Sequence, residues 1–308
     1  MRIGILVMTY NQCETTLKWI EQHQLLFGDR TDLYPMILDN QSSDKTYEAV
    51  RAAYPDIDIR RMKDNYGCVT GRNVGVAELY LNGFDFVMNL DNDILIHDPL
   101  FYDNMLAFAE KHPDTDAFCP VVRGKFEGSV HTMGQVITWN GGRRNITTYH
   151  EGDNTQVDII PGGASFVRLE TYASYGLYDN DFSPISIEDY EWSTRLKKKG
   201  ATFRFNPDVE VIHYHDLRQP DSKVKQAFHI VGHMVLLRKY PTPISLVKEM
   251  RFLTKIARKF GFGFASEYAW KGITKPVCKD NYDFKTFIES GLKNYYDPDY
   301  GRPTQLVS

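Results

Sequence analysis

Short apolar runs alternate with segments of helical periodicity over the first third of the chain, the pattern of strands linked through crossover helices. Residues 2–8 read as a first strand, and Glu14 to Phe27 follow as a helix with Leu17, Ile20 and Leu25 on its apolar side. Met36 to Leu38 form a second strand closing on Asp39-Asn40-Gln41-Ser42-Ser43-Asp44, where Ser43 or Asp44 can cap a helix running to Tyr54. Ile57 to Met62 form a third strand. A helix from about Thr70 to Leu81 ends at Asn82-Gly83, a good C-terminal stop. Asp85 to Leu90 then reads as a buried strand running into Asp91-Asn92-Asp93. Repeated β-α-β spacing predicts a Rossmann-like, mostly parallel α/β sheet flanked by helices.

Beyond a helix at Pro99 to Lys111 the pattern loosens. Val130 to Trp139 and Val157 to Ile160 read as strands, and Pro161-Gly162-Gly163-Ala164-Ser165 interrupts one that resumes at Phe166. Glycine there either lets backbone approach a ligand or marks a β-bulge. Glu188 to Lys199 is a helix stopped by Gly200, followed by strand segments at Ala201 to Asn206 and Val209 to His215. Gln219 to Tyr240 is helical, and Pro241 and Pro243 mark a boundary. The expected organisation is a domain at 1–240, divided into halves at 1–115 and 116–240, with a helical C-terminal extension at 241–308.

Composition narrows the class. The 308 residues are 25% charged and 42% hydrophobic, ordinary for a globular protein, and the net charge of −4 argues against nonspecific binding to polyanions. Cys13, Cys68, Cys119 and Cys278 are scattered, which suits free thiols in a reducing compartment. With a strand at the start and no apolar run near the roughly 20 residues that span a bilayer, a cytoplasmic protein is expected.

Asp91 and Asp93 sit at the end of a buried strand, where ligands of open α/β sheets collect. Two carboxylates at this spacing can share a hard cation, Mg²⁺ or Mn²⁺, bridging to a diphosphate; the simpler reading is a solvated acidic turn. A calcium loop would want Gly and Glu where Ile96 and Tyr102 stand, and a phospho-aspartate site would want Thr at Leu95. Arg72 and Asn73 follow Gly71 near a helix start, where they could face phosphate or ribose or serve as cap and surface charge. Glu188, Asp189 and Glu191 complement a helix dipole, or supply a general base.

Several stretches occur in a family's order: Met8-Thr9-Tyr10-Asn11, then Leu38 to Asp44, then Asn65-Tyr66-Gly67 with Gly71-Arg72-Asn73-Val74-Gly75, then Asp91-Asn92-Asp93. Glu188-Asp189-Tyr190-Glu191 and Pro207 to His213 complete the set. Over roughly residues 1–215 the chain resembles the family-2 glycosyltransferases, inverting enzymes of the GT-A fold that use nucleotide-sugar donors. The resemblance implies a metal-dependent transfer, with Mn²⁺ or Mg²⁺, from a UDP- or dTDP-sugar to a hydroxyl of a glycan, lipid-linked glycan, protein or modified nucleic acid. It places Thr9, Tyr10 and Asn11 beside the base, with Asp39 reading its imide N–H. It assigns Asp91 to ribose or metal, Asp93 to metal, and His213 to a third metal ligand, with His215 as competitor. Asp189 becomes the general base, Glu188 its neighbour or alternate, and Gly163 a donor-side contact. The chain lacks the Q-x-x-R-W motif of processive members and has Glu191 where the family often has Asp. Two rival readings are a nucleotidyltransferase, whose Gly-rich basic loop is missing after strand one, and a non-catalytic sugar-nucleotide-binding protein.

Residues 244–260 carry Val247, Met250, Leu253, Ile256, Ala257 and Phe260 on one stripe and Lys248, Arg251, Lys255, Arg258 and Lys259 elsewhere. Such a helix packs its stripe on its own domain or lies on an anionic membrane surface.

Overall fold

The computed structural model describes residues 1–300 except 126–127, 140–141, 185–186, 215–222, 242 and 279. Strands β1 (Ile3–Thr9), β2 (Leu33–Asp39), β3 (Asp58–Arg61) and β4 (Phe86–Asp91) alternate with helices α1 (Cys13–Phe27), α2 (Thr46–Ala53) and α3 (Gly67–Leu81). The short β5 (Ile94–Leu95) and helix α4 (Phe101–Lys111) lead to β6 (Ala117–Gly124). Then come β7 (Val130–Thr132), β8 (Gln135–Ile137), β9 (Arg143–Asn145), β10 (Gln156–Val157), β11 (Ala164–Arg168), α5 (Leu169–Tyr175) and α6 (Glu188–Lys198). The last strand, β12 (Phe203–His213), is followed by α7 (Lys223–Lys239), α8 (Pro243–Phe260), α9 (Phe262–Thr274) and α10 (Phe284–Glu289).

The main sheet runs β10-β12-β6-β11-β4-β1-β2-β3, with β1 parallel to β2 and β4, β2 to β3, and β6 to β12. β11 runs antiparallel to both β4 and β6, joining the two parallel halves. Alternation along β1 sends Ile3, Ile5 and Val7 to one core with Trp19, Ile20, Phe101 and Tyr102, and Leu6 to the other with Val74, Leu79 and Trp192. Helices therefore cover both faces, as the β-α-β pattern demands.

Several boundaries differ from the sequence reading. α3 starts at Gly67, three residues early, so Gly71 and Gly75 are inside it. A Cβ at Gly75 would lie 2.4 Å from Leu6 and one at Gly71 would lie 2.1 Å from Met8, so these glycines form the flat stripe that seats α3 on β1. Val130 to Trp139 is two short strands, while the segments expected at Ala201 to Asn206 and Val209 to His215 are one strand with a pairing shift between Asn206 and Glu210. The expected helix from Gln219 is described only from Lys223.

The C-terminal region is not a detached tail. Tyr296 bridges to Met62, Lys63 N–H donates to the Tyr295 carbonyl at 2.8 Å, and Tyr47 Oη donates to the Tyr300 carbonyl at 2.9 Å. Phe284 and Phe287 enter the same core cluster as Trp192. On the other side, Lys239 of α7 pairs with Asp179 and, at 2.7 Å, with Asp181.

Candidate active site

Pairing of Met8 with Asp91 brings the ends of β1 and β4 together at one edge of the sheet. Thr9, Tyr10, Arg72, Asp91, Asp93, Gly163, Glu188 and Asp189 all line the cleft that opens there, about 830 Å³ in volume. Eight of the residues singled out from sequence thus converge from β1, α3, β4, the loop before β11 and the start of α6. A second depression of similar volume lies on α8 and contains no carboxylate.

Arg72 ties the two acidic segments together. It is buried; Nη2 donates to Asp91 Oδ1 at 2.7 Å and Nη1 to Glu188 Oε1 at 3.4 Å. Burial opposes its charge, but Cys68, Asp91 and Glu188 outweigh that and hold the guanidinium firmly protonated. Arg72 therefore acts from the second turn of α3 through its side chain, not from a helix terminus. The backbone of Gly163 lies so close that a Cβ there would be 2.1 Å from Asp91 Oδ2, and Asp91 N–H donates to the Gly163 carbonyl at 3.0 Å. Only a bare backbone fits beside that carboxylate.

Asp93 and His213 meet across the pairing of β5 with β12, where His213 lies opposite Ile94. His213 Nε2 is 3.4 Å from Asp93 Oδ2. Burial lowers the imidazole's affinity for a proton, but the hydrogen bond to Asp93 and the charges of Asp93 and Asp91 raise it above its ordinary value. Adjacent ligands of an octahedral cation with bonds near 2.1 Å lie about 3 Å apart, so this oxygen and nitrogen fit neighbouring positions on one Mn²⁺ or Mg²⁺. Among the described residues no group of three or more His, Cys, Asp or Glu side chains is placed to hold a metal. Asp91 gives Oδ1 to Arg72. His215, the competing ligand, lies outside the described residues.

Asp189 lies one residue into α6, with Oδ1 accepting from the Tyr190 N–H at 2.7 Å. Burial, then the neighbouring charge of Glu188, raises its carboxyl above the ordinary aspartate value, against the pull of Arg143 and Arg72. A base with raised proton affinity suits proton abstraction. Glu188 is more enclosed, held by Arg72 and by the Cys68 thiol at 3.7 Å. Glu191 turns away: it is buried against Arg195 at 2.8 Å and accepts from Tyr240 Oη at 2.7 Å, tying α6 to the residue that follows α7.

Three expected donor contacts do not line the cleft. Asp39 is fully buried; Oδ1 accepts from Ser42 N–H at 3.0 Å and Oδ2 faces Arg61 Nη1 at 3.3 Å, so no oxygen is open to a base. Burial raises its carboxyl, with Ser42 and Arg61 opposing. Asn73 is also buried, its amide donating to the Tyr178 carbonyl at 2.8 Å and accepting from the Tyr178 N–H at 3.0 Å. It clamps α3 to the segment before α6. Asn11, with φ 51°, accepts from the Ser43 N–H at 2.7 Å and so braces the neighbouring loop.

The cleft also contains residues that sequence reasoning missed: Asn40 and Asn65 on one wall, and Lys225, Phe228 and His229 from α7. Spacing of three and four residues puts the last three on one helical face, a signal present in the sequence but common on helices that serve no site.

A profile of Glycosyl transferase family 2 matches residues 5–170. The structure of GalNAc-T7 with UDP, GalNAc and Mn²⁺ is similar over 96% of this chain and 57% of its own, at TM-score 0.60 and 14% identity. The mannosyltransferase PcManGT from Pyrobaculum calidifontis with GDP-Man and Mn²⁺ matches over 95% of this chain and 79% of its own (TM-score 0.57, 16% identity). A 1–349 fragment of S. aureus TarS with UDP-GlcNAc matches over 96% and 89% (TM-score 0.57, 14% identity). The chain thus spans little more than half of the GalNAc-T7 chain. At these identities the likeness establishes the fold. No curated protein matches the sequence.

Proposed function

The chain belongs to glycosyl transferase family 2, and from that premise we propose that it transfers a sugar from a nucleoside diphosphate to an acceptor hydroxyl, metal-dependently and with inversion at the anomeric carbon. One observation carries the reading: Asp93, backed by His213, and Asp189 line a single cleft whose acidic elements are joined by Arg72.

Asp93 and His213 would hold a divalent cation, which when bound supplies positive charge to the leaving diphosphate. Asp189 accepts the acceptor's hydroxyl proton while that oxygen forms its bond to the anomeric carbon. The bond from that carbon to the diphosphate oxygen breaks on the opposite side, and its electron pair leaves with the diphosphate. Arg72 holds Asp91 at the donor side and Glu188 beside the base. The nucleoside lies between Thr9, Tyr10, Asn40 and Asn65. Asp39 supports the turn that carries Asn40 and does not read the base directly.

The similar structures contain UDP, UDP-GlcNAc and GDP-Man, so the fold alone does not select a base. The uridine or thymidine class expected from Asp39 loses that support, and the base is decided by a direct test. Family membership sets the nucleotidyltransferase reading aside. Thermal shift across UDP-, dTDP- and GDP-sugars with Mn²⁺ finds the donor, because a ligand bound to the native state raises its stability. NMR of the product then reads the anomer, and a retained configuration overturns the proposed mechanism. A donor that binds but is neither hydrolysed nor transferred supports the non-catalytic reading.

A further inference from the structure

The apolar stripe read from the sequence of 244–260 does not stay together in the fold. Ile256 is buried against Ile230 and Met234 of α7 and Ala265 and Ala269 of α9, with Leu253, Ala257 and Phe260 packed around it. Val247 and Met250 separate from that stripe and join Leu246 on the outer side, each more than half exposed. Arg251, Thr254, Lys255, Arg258 and Lys259 border the same shallow depression. Glu249, the only acidic residue of α8, turns inward to His233 at 2.8 Å. The outer face therefore presents apolar side chains beside basic ones with no acid among them, on a chain whose net charge is −4.

We propose that this face of α8 docks on an anionic lipid bilayer, an inference independent of the transfer chemistry. Three exposed aliphatic or thioether side chains on one sector enter the headgroup boundary, while the long basic side chains beside them reach the lipid phosphates. A soluble polyanion would use the charges and leave Leu246, Val247 and Met250 in water; the apolar sector favours the membrane. Phe262, two residues past α8 and 80% exposed, extends the apolar content at that end. The surface is mechanically close to the cleft. The Lys248 ammonium lies 5.0 Å from the Tyr190 ring, next to Asp189 in sequence, and α7, against which α8 packs, supplies Lys225, Phe228 and His229 to the cleft wall. Docking through α8 would thus hold the cleft near acceptors carried on a membrane.

The test is sedimentation of the full chain with phosphatidylcholine vesicles, with and without phosphatidylglycerol. Binding is expected only to the anionic vesicles and should weaken with salt. A basic residue near an anionic surface contributes about a fivefold factor in partitioning, so Arg251→Gln/Lys255→Gln/Arg258→Gln should cost about a hundredfold. Leu246→Gln/Met250→Gln should cost about tenfold or more, with donor turnover in solution unchanged for both sets. Should either set lower the melting temperature, Val247→Trp in the otherwise unaltered chain gives an independent reading. Its emission should shift to the blue on adding anionic vesicles, and no shift overturns the proposal. Absence of wild-type binding to anionic vesicles also overturns it. So does binding that ignores the apolar substitutions and is matched by heparin, which would identify a polyanion site instead.

Discussion

The Arg72 guanidinium sits 2.7 Å from the Asp91 carboxylate, and its other arm reaches Glu188 at 3.4 Å. A buried arginine thus joins the end of β4 to the start of α6. Removing one partner of a buried ion pair strands the other charges, although Asp91 is partly solvated and so limits the loss. Arg72→Met should cost about 2–3 kcal/mol by chemical denaturation, with loss of donor affinity. Gly163→Ala should weaken donor binding and also lower stability, since its Cβ displaces Asp91 from Arg72. Unchanged donor affinity in both variants would remove this bridge from the donor site.

Asp189→Asn should reduce turnover by about 10²–10⁴-fold while donor and metal affinity persist. Burial and Glu188 hold its carboxyl above the ordinary value of 3.8, so kcat/KM should rise with pH through a midpoint above that value. If the carboxylate serves only the helix dipole, Asp189→Asn should shift the melting temperature by a small amount and leave turnover intact. Rate, donor affinity and melting temperature of Asp189→Asn decide between these readings.

Donor affinity should depend on Mn²⁺ or Mg²⁺ and collapse in Asp93→Ala. His213→Ala should weaken it less, because one imidazole is lost while the carboxylate and phosphate oxygens remain. Calorimetry that finds equal donor affinity in Mn²⁺ and in EDTA would exclude a metal-held diphosphate.

Asp179 should make stability fall as pH rises. Burial, and then the nearby Glu191, push its carboxyl up to about 6 from 3.8, with the Lys239 hydrogen bond opposing them. The folded state therefore binds a proton that the unfolded chain has released. This contribution is full below the unfolded value, near pH 4, and is lost by about pH 6; two pKa units are worth about 3 kcal/mol at most. Denaturation of the native chain and Asp179→Asn at several pH values isolates it, because the downward slope over that window should be shallower in the variant by this amount.

Phe287→Ala should destabilise the protein by about 3 kcal/mol, the usual cost of emptying a buried aromatic site. A truncation after Tyr240 should then fail to fold as the native chain does, for it removes Phe284, Phe287 and Tyr296 from contact with the 1–115 half. A truncated chain with a native-like denaturation midpoint would support residues 241–308 as a separable extension.

Local pattern was sufficient for the main elements up to Lys111, while β6, α5, α9 and α10 were not read from it. Alternation in Ile3 to Val7, the apolar run before Asp91 and the spacing between them specify parallel strands buried on both faces, because period and burial are coupled residue by residue. The strand-end motifs were legible for the same reason: parallel strands deliver their carboxyl ends to one edge, so Thr9, Asp91 and Asp93 had to be neighbours. What the sequence could not determine was direction and enclosure. Asp39 and Asn40 are adjacent, yet only the packing of Arg61 against Asp39 closes one off while the other faces the cleft. Arg72 and Asn73 are adjacent as well, but a helix turns successive side chains about 100° apart, so one reaches Asp91 and the other clamps Tyr178. Val247 and Ile256 share a periodic stripe, and only the positions of α7 and α9 decide which is buried. Sequence period is a property of one element; exposure depends on which distant segments pack against it, and only the tertiary structure decides that.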